Sequence, residues 1–393
     1  MRLFSDPVAA IGDVHLRRAA ELSLDGRGRS APNPWIGCVI VAPDGRVVGE
    51  GYHHHAGEPH AEVLALHEAG YQARGATAYV TLEPCAHTGR TPPCSEALAA
   101  AGISAVLIGI EDPNPLARGG AQRLRDMGVT VRYANPADAA AVADLLEEWL
   151  HALATGRPWV TAKVALSLDG RPALHTGVRA EITGTDGAVI TRALRRAADA
   201  VLVGATTVSA DDPALTRRGP DAHPDGDQPL RVVLAGETLP SPAAILFNDG
   251  LGPSALLVPE GTPAEALRPF TDVGVEVALY GGVGNIGSGL AALAGLGVTH
   301  VLAETGPRTF TSLWNADAID ALVTVTAGGV AGVQAPSLFR GESTEGESLE
   351  RRFAALEAGV AGTVAAVQWR RIAADSATAK RETAASAADP SET

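Results

Sequence analysis

The chain has 393 residues, 46% of them hydrophobic and 19% charged, with a formal net charge of -14. That length provides for two or three domains, each with its own core, and the composition reads as a soluble globular protein. The acidic balance and the absence of any Lys/Arg run argue against a nucleic-acid binder, which would carry a basic stripe, and no stretch of about 18 apolar residues marks a membrane span.

The first residues, MRLFSDPVAAIGD, lack the long apolar run of a secretory signal. Three cysteines in a chain this long point to a reducing compartment. A cytoplasmic location is expected.

Strands and helices alternate along the chain. Gly37–Val41 and Arg46–Val48 form a predicted hairpin turned at Pro43-Asp44-Gly45. A helix over His60–Ala69 stops at Gly70, and a strand over Ala78–Leu82 runs into a cysteine-bearing loop. A helix over Ser95–Ala101 and a buried strand over Ala105–Ile108 complete a layered α/β pattern. One Ala/Leu-rich helix is predicted over 137–153, ending near Gly156. The domain boundary is placed at 151–157, ahead of a strand over Trp159–Leu166. Apolar runs at 200–203, 231–234 and 298–303 repeat the alternation, and two edge-like runs, 321–326 and 363–369, close it. From Ala373 the chain is rich in Ala, Ser, Thr and Asp and is expected to be disordered. The resulting division is 8–150, 157–372 and a tail, 373–393.

Two of the three cysteines fall in one cluster, His60-Ala61-Glu62 followed by Pro84-Cys85 and, eight residues beyond, Cys94. One imidazole, two thiols and a carboxylate are the inventory of a catalytic zinc site with an open position and a proton shuttle. His60 and Cys94 sit at predicted helix starts, whose dipoles favour thiolate and hydroxide. Glu62 is placed to move protons without occupying the metal. H-x-E and P-C-x-x-C mark the zinc nucleobase deaminases, and this chain departs from them in the wider cysteine spacing. Cys38, in an apolar run, is expected in the core. His53, His54 and His55 read as a solvated strand end.

APNPWIGCVIV (31–41), GEGYHHHAGEPHAEVLAL (49–66), YVTLEPCAHTGRTPPC (79–94) and EDPNP (111–115) resemble the deaminase half of the bifunctional riboflavin-biosynthesis deaminase/reductases. The AHTGRTPP insert between the cysteines is characteristic of that group. The resemblance implies a cytidine-deaminase-like layered α/β/α domain that hydrolytically deaminates a phosphoribosylated diaminopyrimidinone to the aminouracil. His60, Cys85 and Cys94 would bind Zn2+, Glu62 would be catalytic, and Asn33 matches a substrate-pocket position.

RPWVTAKVALSLDGR (157–171), LRRAADAVLVGATTVSADDPALTRR (194–218), QPLRVVL (228–234) and AETGP (303–307) resemble the reductase half. This implies a dihydrofolate-reductase-like α/β domain that uses NADPH to reduce the ribose carbonyl to a ribityl alcohol. By position, Ala165, Thr207, Asp211 and Gly306 would line the cofactor, while Arg195, Leu215, Arg218 and Glu304 would hold the substrate. Two guanidiniums suit a terminal phosphate. The chain departs from the family pattern G-x-S-x-W-I-[ST]-G at 177–184, where Arg179 and Glu181 replace the Ser and Trp, and Ala235-Gly236 stands where Asp-Ser is common. Loss of an aromatic stacking surface removes on the order of 1 kcal/mol of binding. Gly282-Val283-Gly284-Asn285-Ile286-Gly287 fits G-x-G-x-x-G, with Glu304 20 residues past Gly284, but the motif alone is weak. The turn Thr305-Gly306-Pro307 is the better pyrophosphate candidate.

The expected partner is a small phosphoribosyl pyrimidine, with no nucleic acid and no membrane; a homo-oligomer is left open. Two alternatives stand beside the two-step enzyme. One is a deaminase whose C-terminal domain has drifted into a binding or assembly module. The other is a nucleic-acid-editing deaminase, against which the acidic balance and the AHTGRTPP insert both count.

Overall fold

The structure is a computed structural model and describes residues 2–88, 92–172, 182–219, 221–236, 238–281, 285–339 and 349–372. The altered stretch at 177–181, the glycines 282–284 and the tail from 373 lie outside these residues. No helix among the described residues is long and apolar enough to cross a membrane.

The N-terminal half is built on a five-stranded sheet of order β2-β1-β3-β4-β5: β1 Gly37–Val41, β2 Val47–Tyr52, β3 Thr77–Leu82, β4 Ala105–Ile110 and β5 Thr130–Tyr133. β1 is antiparallel to both β2 and β3, and β3, β4 and β5 run parallel. Six helices accompany it: α1 Val14–Ser23, α2 Ala61–Ala69, α3 Cys94–Ala100, α4 Gly120–Asp126, α5 Pro136–Leu145 and α6 Glu147–Thr155. α1 is capped by Asp13, whose side chain accepts from the amides of His15 and Leu16. The helix expected over 137–153 is two helices, because Leu146 leaves helical geometry at φ -96, ψ 11. Cys38 is fully buried in the core, as expected.

Two strand glycines decide where α2 sits. A Cβ on Gly51 would lie 2.5 Å from the Ala61 carbonyl oxygen and 2.7 Å from the Ala65 amide. Gly49 is equally crowded by the next turn of the helix. Only glycine permits a backbone to approach this closely. The GEGY segment therefore seats the start of α2, with His60 and Glu62, directly on the sheet.

The C-terminal half is a nine-stranded sheet of order β10-β9-β8-β7-β11-β6-β12-β14-β13. Its strands and helices follow as β6 Trp159–Leu166, α7 Gly184–Ala197, β7 Ala200–Gly204, α8 Ala205–Asp211, β8 Leu230–Leu234, α9 Ile245–Asn248 and β9 Ser254–Pro259. Then come α10 Ala264–Thr271, β10 Glu276–Tyr280, α11 Ile286–Gly295, β11 His300–Glu304, α12 Pro307–Asn315, β12 Ala321–Ala327, β13 Phe353–Ala361 and β14 Val364–Arg371. The strands from β10 to β12 pair in parallel, and the β13–β14 hairpin is added antiparallel. Parallel strands covered on both faces read as continuous apolar runs, which is why β7 is buried at every position. The runs read as edges are interior: β12 lies between β6 and β14, and β14 between β12 and β13. The true edges are β10 and β13. At the β13 edge, Glu357 accepts from the amides of Leu3 and Phe4 and from the Ser5 hydroxyl, and the Phe4 ring lies against Gly359.

The halves meet along several ion pairs. Arg370 reaches Glu147 and Asp144. His55 bonds Asp227 at 2.8 Å, and the buried Arg217 donates to the Gly28 carbonyl at 2.5 Å.

Candidate active sites

The first site forms where β3 ends. β3 delivers Cys85 just beyond the sheet's carboxyl edge, α2 begins beside it with His60 as its N-cap residue, and Cys94 opens α3. The loop holds its shape through Ser95, whose amide and hydroxyl both donate to the Cys85 carbonyl, at 3.3 and 3.0 Å. His60 Nδ1 lies 3.3 Å from Cys94 Sγ and 3.7 Å from Cys85 Sγ, and the three donor atoms lie within 4.8 Å of one another. A tetrahedral zinc with Zn–S of about 2.3 Å and Zn–N of about 2.05 Å separates N and S by about 3.6 Å. The two nitrogen–sulfur separations bracket that value, so the donor set suits that ion.

The electrostatics suit a thiolate site. Hydrogen bonds from Cys94 and His60 hold the Cys85 thiol down to about 4, against the penalty of burial. Cys94 is pushed up by its bond to Cys85 and by burial. Glu62, 4% exposed, has its carboxyl raised by burial, with the His60 imidazole pulling the other way.

These groups open into a cavity of about 280 Å³ that also takes in Asn33, His53, Glu83, Asp112 and Asn114. His53 corrects the reading of a solvated histidine run: it is 2% exposed, its Nδ1 donates to the Pro59 carbonyl, and its Nε2 accepts from Asn33 Nδ2 at 3.1 Å. His54 and His55 do face solvent in part. Glu83 ties the cavity's far wall by accepting from the amides of Asp112, Gly119 and Ala121. Sequence reasoning assigned no role to His53, Glu83, Asp112 or Asn114, although all four stand in quoted motifs.

The second site lies at the carboxyl ends of the C-terminal parallel strands, where ligands bind in open α/β sheets. A cavity of about 510 Å³ is lined by Gly204, Thr206, Ser209, Gly236, Thr238 and Arg308 among others. Arg308 is the one charged side chain among its described lining residues. Gly306 is the N-cap residue of α12 and faces Thr207 Oγ1. The first turn of α12 leaves N–H groups without helix partners beside this cavity, a fit for the phosphates of a dinucleotide.

Four expected substrate residues come together next to it. Arg195 forks onto Glu304, Nε to Oε1 at 2.5 Å and Nη2 to Oε2 at 3.0 Å, while its Nη1 donates to the Thr216 carbonyl. Burial lowers the Arg195 guanidinium, but Glu304 outweighs it and raises the group; Glu304 is held below the usual carboxylate range because the Arg195 charge overcomes the burial penalty. Arg195 is thus committed to Glu304, and Arg218 is the more exposed guanidinium, bonded among the described residues at Nε to Thr216 Oγ1 and at Nη1 to the Ala222 carbonyl. Leu215 is buried with φ 54, a left-handed turn that swings the chain from α8 towards Arg218. Lys163, register partner of Glu304 across β6 and β11, was not singled out; burial pushes its ammonium down. A lone lysine within the apolar run of β6 was the available signal. Ala165 lies further along the same strand, and Asp211 closes α8.

Residues 13–110 match the model of the cytidine and deoxycytidylate deaminase zinc-binding region, and 158–365 match that of the RibD C-terminal domain. The chain is 39% identical over 322 residues to the riboflavin biosynthesis protein RibD of Aquifex aeolicus, covering 81% of this chain and 88% of that one. It is 42% identical over 295 residues to RibD of Mycobacterium tuberculosis, covering 75% and 85%. Among solved structures, Acinetobacter baumannii RibD superposes with a TM-score of 0.80 at 34% identity, covering 91% of this chain and 98% of that one. A Thermotoga maritima protein described as a diaminohydroxyphosphoribosylaminopyrimidine deaminase/5-amino-6-(5-phosphoribosylamino)uracil reductase gives 0.78 at 29% identity, with the same coverage. With both halves matched in one chain and in one order, this protein belongs to the RibD family, the bifunctional zinc deaminase and NADPH reductase enzymes of riboflavin biosynthesis.

Proposed function

We propose that residues 8–150 deaminate 2,5-diamino-6-(5-phosphoribosylamino)pyrimidin-4-one and that residues 157–372 reduce the ribose carbonyl of the product. The observation that carries the first step is the meeting of His60, Cys85, Cys94 and the buried Glu62 in one cavity. Zinc held by His60, Cys85 and Cys94 supplies Lewis acidity that brings the pKa of water towards neutrality. The Glu62 carboxylate would take one proton of the attacking water and pass it to the ring nitrogen, then take the second from the hydroxyl now on the ring carbon and give it to the amino group, which leaves as ammonia. Burial favours the protonated carboxyl that such a relay must form. Asn33, held by His53, offers polar atoms for orienting the pyrimidine.

In the second step NADPH supplies the hydride. Ala165, Thr207, Asp211 and Gly306 flank the cofactor, and Arg195, Leu215, Arg218 and Glu304 hold the substrate. Arg218 has donors free for a phosphate, whereas Arg195 fixes the Glu304 carboxylate in place.

The test is incubation of zinc-assayed protein with the phosphoribosyl diaminopyrimidinone, with and without NADPH, following ammonia and NADPH absorbance together. Stoichiometric release of ammonia and loss of NADPH support the two-step enzyme. Ammonia without NADPH loss would instead favour a C-terminal domain kept as a binding module. Failure to retain single-stranded RNA or DNA at low salt is expected.

A further inference from the structure

Between Thr216 and Arg218 stands a residue that neither step uses. Arg217 is 5% exposed, and among the described residues its guanidinium meets no carboxylate at hydrogen-bond distance. Four of its five N–H groups go to main-chain carbonyls: Nε to Arg195 at 3.1 Å, Nη1 to Asp227 at 2.9 Å, and Nη2 to Ala198 at 2.7 Å and Gly28 at 2.5 Å. Its own amide donates to Gln228 Oε1 at 2.7 Å.

The four carbonyls belong to three separate segments. Arg195 and Ala198 lie at the end of α7, Asp227 in the loop before β8, and Gly28 in the turn after α1, in the deaminase half. The clamp is reciprocal, since the Arg195 carbonyl accepts from Arg217 while the Arg195 side chain donates to the Thr216 carbonyl. Thr216 Oγ1 in turn accepts from Arg218. Gly28 makes the joint tight: at φ +72, a Cβ there would lie 2.7 Å from Arg217 Nη2 and 2.8 Å from the Arg196 carbonyl oxygen.

We propose that Arg217 is a positioning residue for the reductase, which sets Arg195 and Arg218 by gathering these carbonyls and so makes the reductase substrate loop depend on contact with the deaminase domain. The proposal rests on the assignment of Arg195 and Arg218 to the substrate. A buried guanidinium whose hydrogen bonds go to neutral carbonyls contributes order among the segments it joins, and its removal strands several carbonyls at once.

The experiment uses full-length, zinc-loaded protein and measures reductase kinetics with the phosphorylated deaminated intermediate and with its dephosphorylated form. Arg217→Met is expected to raise KM for the phosphorylated compound about tenfold with kcat within twofold, a loss of binding shared by ground and transition states. It should also shrink the preference for the phosphorylated over the dephosphorylated compound, while ammonia release stays within twofold. Gly28→Ala, made in the other domain, should reproduce the raised reductase KM. Arg218→Ala serves as reference. If Arg218→Ala raises KM and Arg217→Met leaves it within twofold, the positioning role is overturned alone; if Arg218→Ala changes nothing, the substrate assignment has failed. An equal decline of both activities in Arg217→Met would reduce the residue to a general structural role and overturn the proposal. Should Arg217→Met not fold, Gly28→Ala decides by the same criterion.

Discussion

Gly51→Ala tests whether the approach of α2 to β2 builds the zinc site. The new Cβ would stand 2.5 Å from the Ala61 carbonyl oxygen, 2.7 Å from the Ala65 amide and 2.9 Å from Leu64 Cβ, where ordinary contact begins at 3.4 Å. Two of these three neighbours are helix backbone, which cannot rotate aside, so the start of α2 must retreat by about 0.9 Å to restore contact with the Ala61 oxygen. Overpacking of this kind costs about 1–3 kcal/mol of stability. The retreat also carries His60 away from two sulfurs that now lie 3.3 and 3.7 Å from its Nδ1. A displacement of about 1 Å at a catalytic group lowers rate by about a hundredfold. The assay is zinc per chain by metal analysis, with ammonia release and reduction of separately supplied deaminated intermediate measured on the same sample. Ammonia release should drop by about two orders of magnitude with weakened zinc retention, while reduction persists. Full zinc occupancy with ammonia release within twofold of the parent would refute the argument that these glycines place the ligands.

Glu62→Gln preserves shape but cannot accept a proton, so ammonia release should fall by about 10²–10⁴ or more with one zinc per chain retained; empty protein would show that Glu62 also secures the metal. Arg308→Ala removes the charged side chain of the cofactor cavity. It should weaken NADPH binding about tenfold by calorimetry and flatten its salt dependence. Unchanged affinity would place the cofactor elsewhere. The His55–Asp227 contact is pH-dependent with a definite sign. The hydrogen bond to Asp227 raises the His55 imidazole above its ordinary 6.5. Its contribution is therefore whole below about 6.5 and is lost as pH rises through the folded value. Asp227, lowered first by its bond to His55, contributes above about 3.8 and fades as pH falls. His55→Ala should lower the free energy of unfolding most near pH 5, by at most about 1 kcal/mol because the pair is largely exposed, and not at all near pH 9, as read by denaturant unfolding at each pH. A deficit that grows with pH would contradict that sign.

The zinc cluster was legible because the chemistry admits few residue types and the chain uses them sparingly. His60, Cys85 and Cys94 converge in the structure as their placement at helix starts and a strand end predicted. His53 was misread because it lies one residue beyond the end of β2, where strand alternation no longer applies, and is covered by Asn33 and Pro59. Leu146 hid the break between α5 and α6, since leucine is a good helix former and nothing local marks the stop. β12 and β14 looked like edges because their burial comes from the β13 hairpin, whose short-side-chain sequence FAALEAGVA gives little apolar signal. Arg217 was invisible for a related reason. In DDPALTRR two arginines stand side by side, and only the tertiary structure shows that one is buried against carbonyls while the other faces out.

Residues 3–5 lie against β13, an edge strand of the reductase sheet among the described residues. An open edge is a template for pairing with foreign strands, and natural proteins cover it. Here residues 3–5, carried by the deaminase half, supply the cover for β13, so the two catalytic halves are not interchangeable modules on a linker. A reductase cut free at residue 156 would lose Phe4 from Gly359 and the capping of Glu357, and with them the guard on that edge. Separation of the two activities would thus carry a solubility penalty that falls on the reductase, even though no reductase residue is removed.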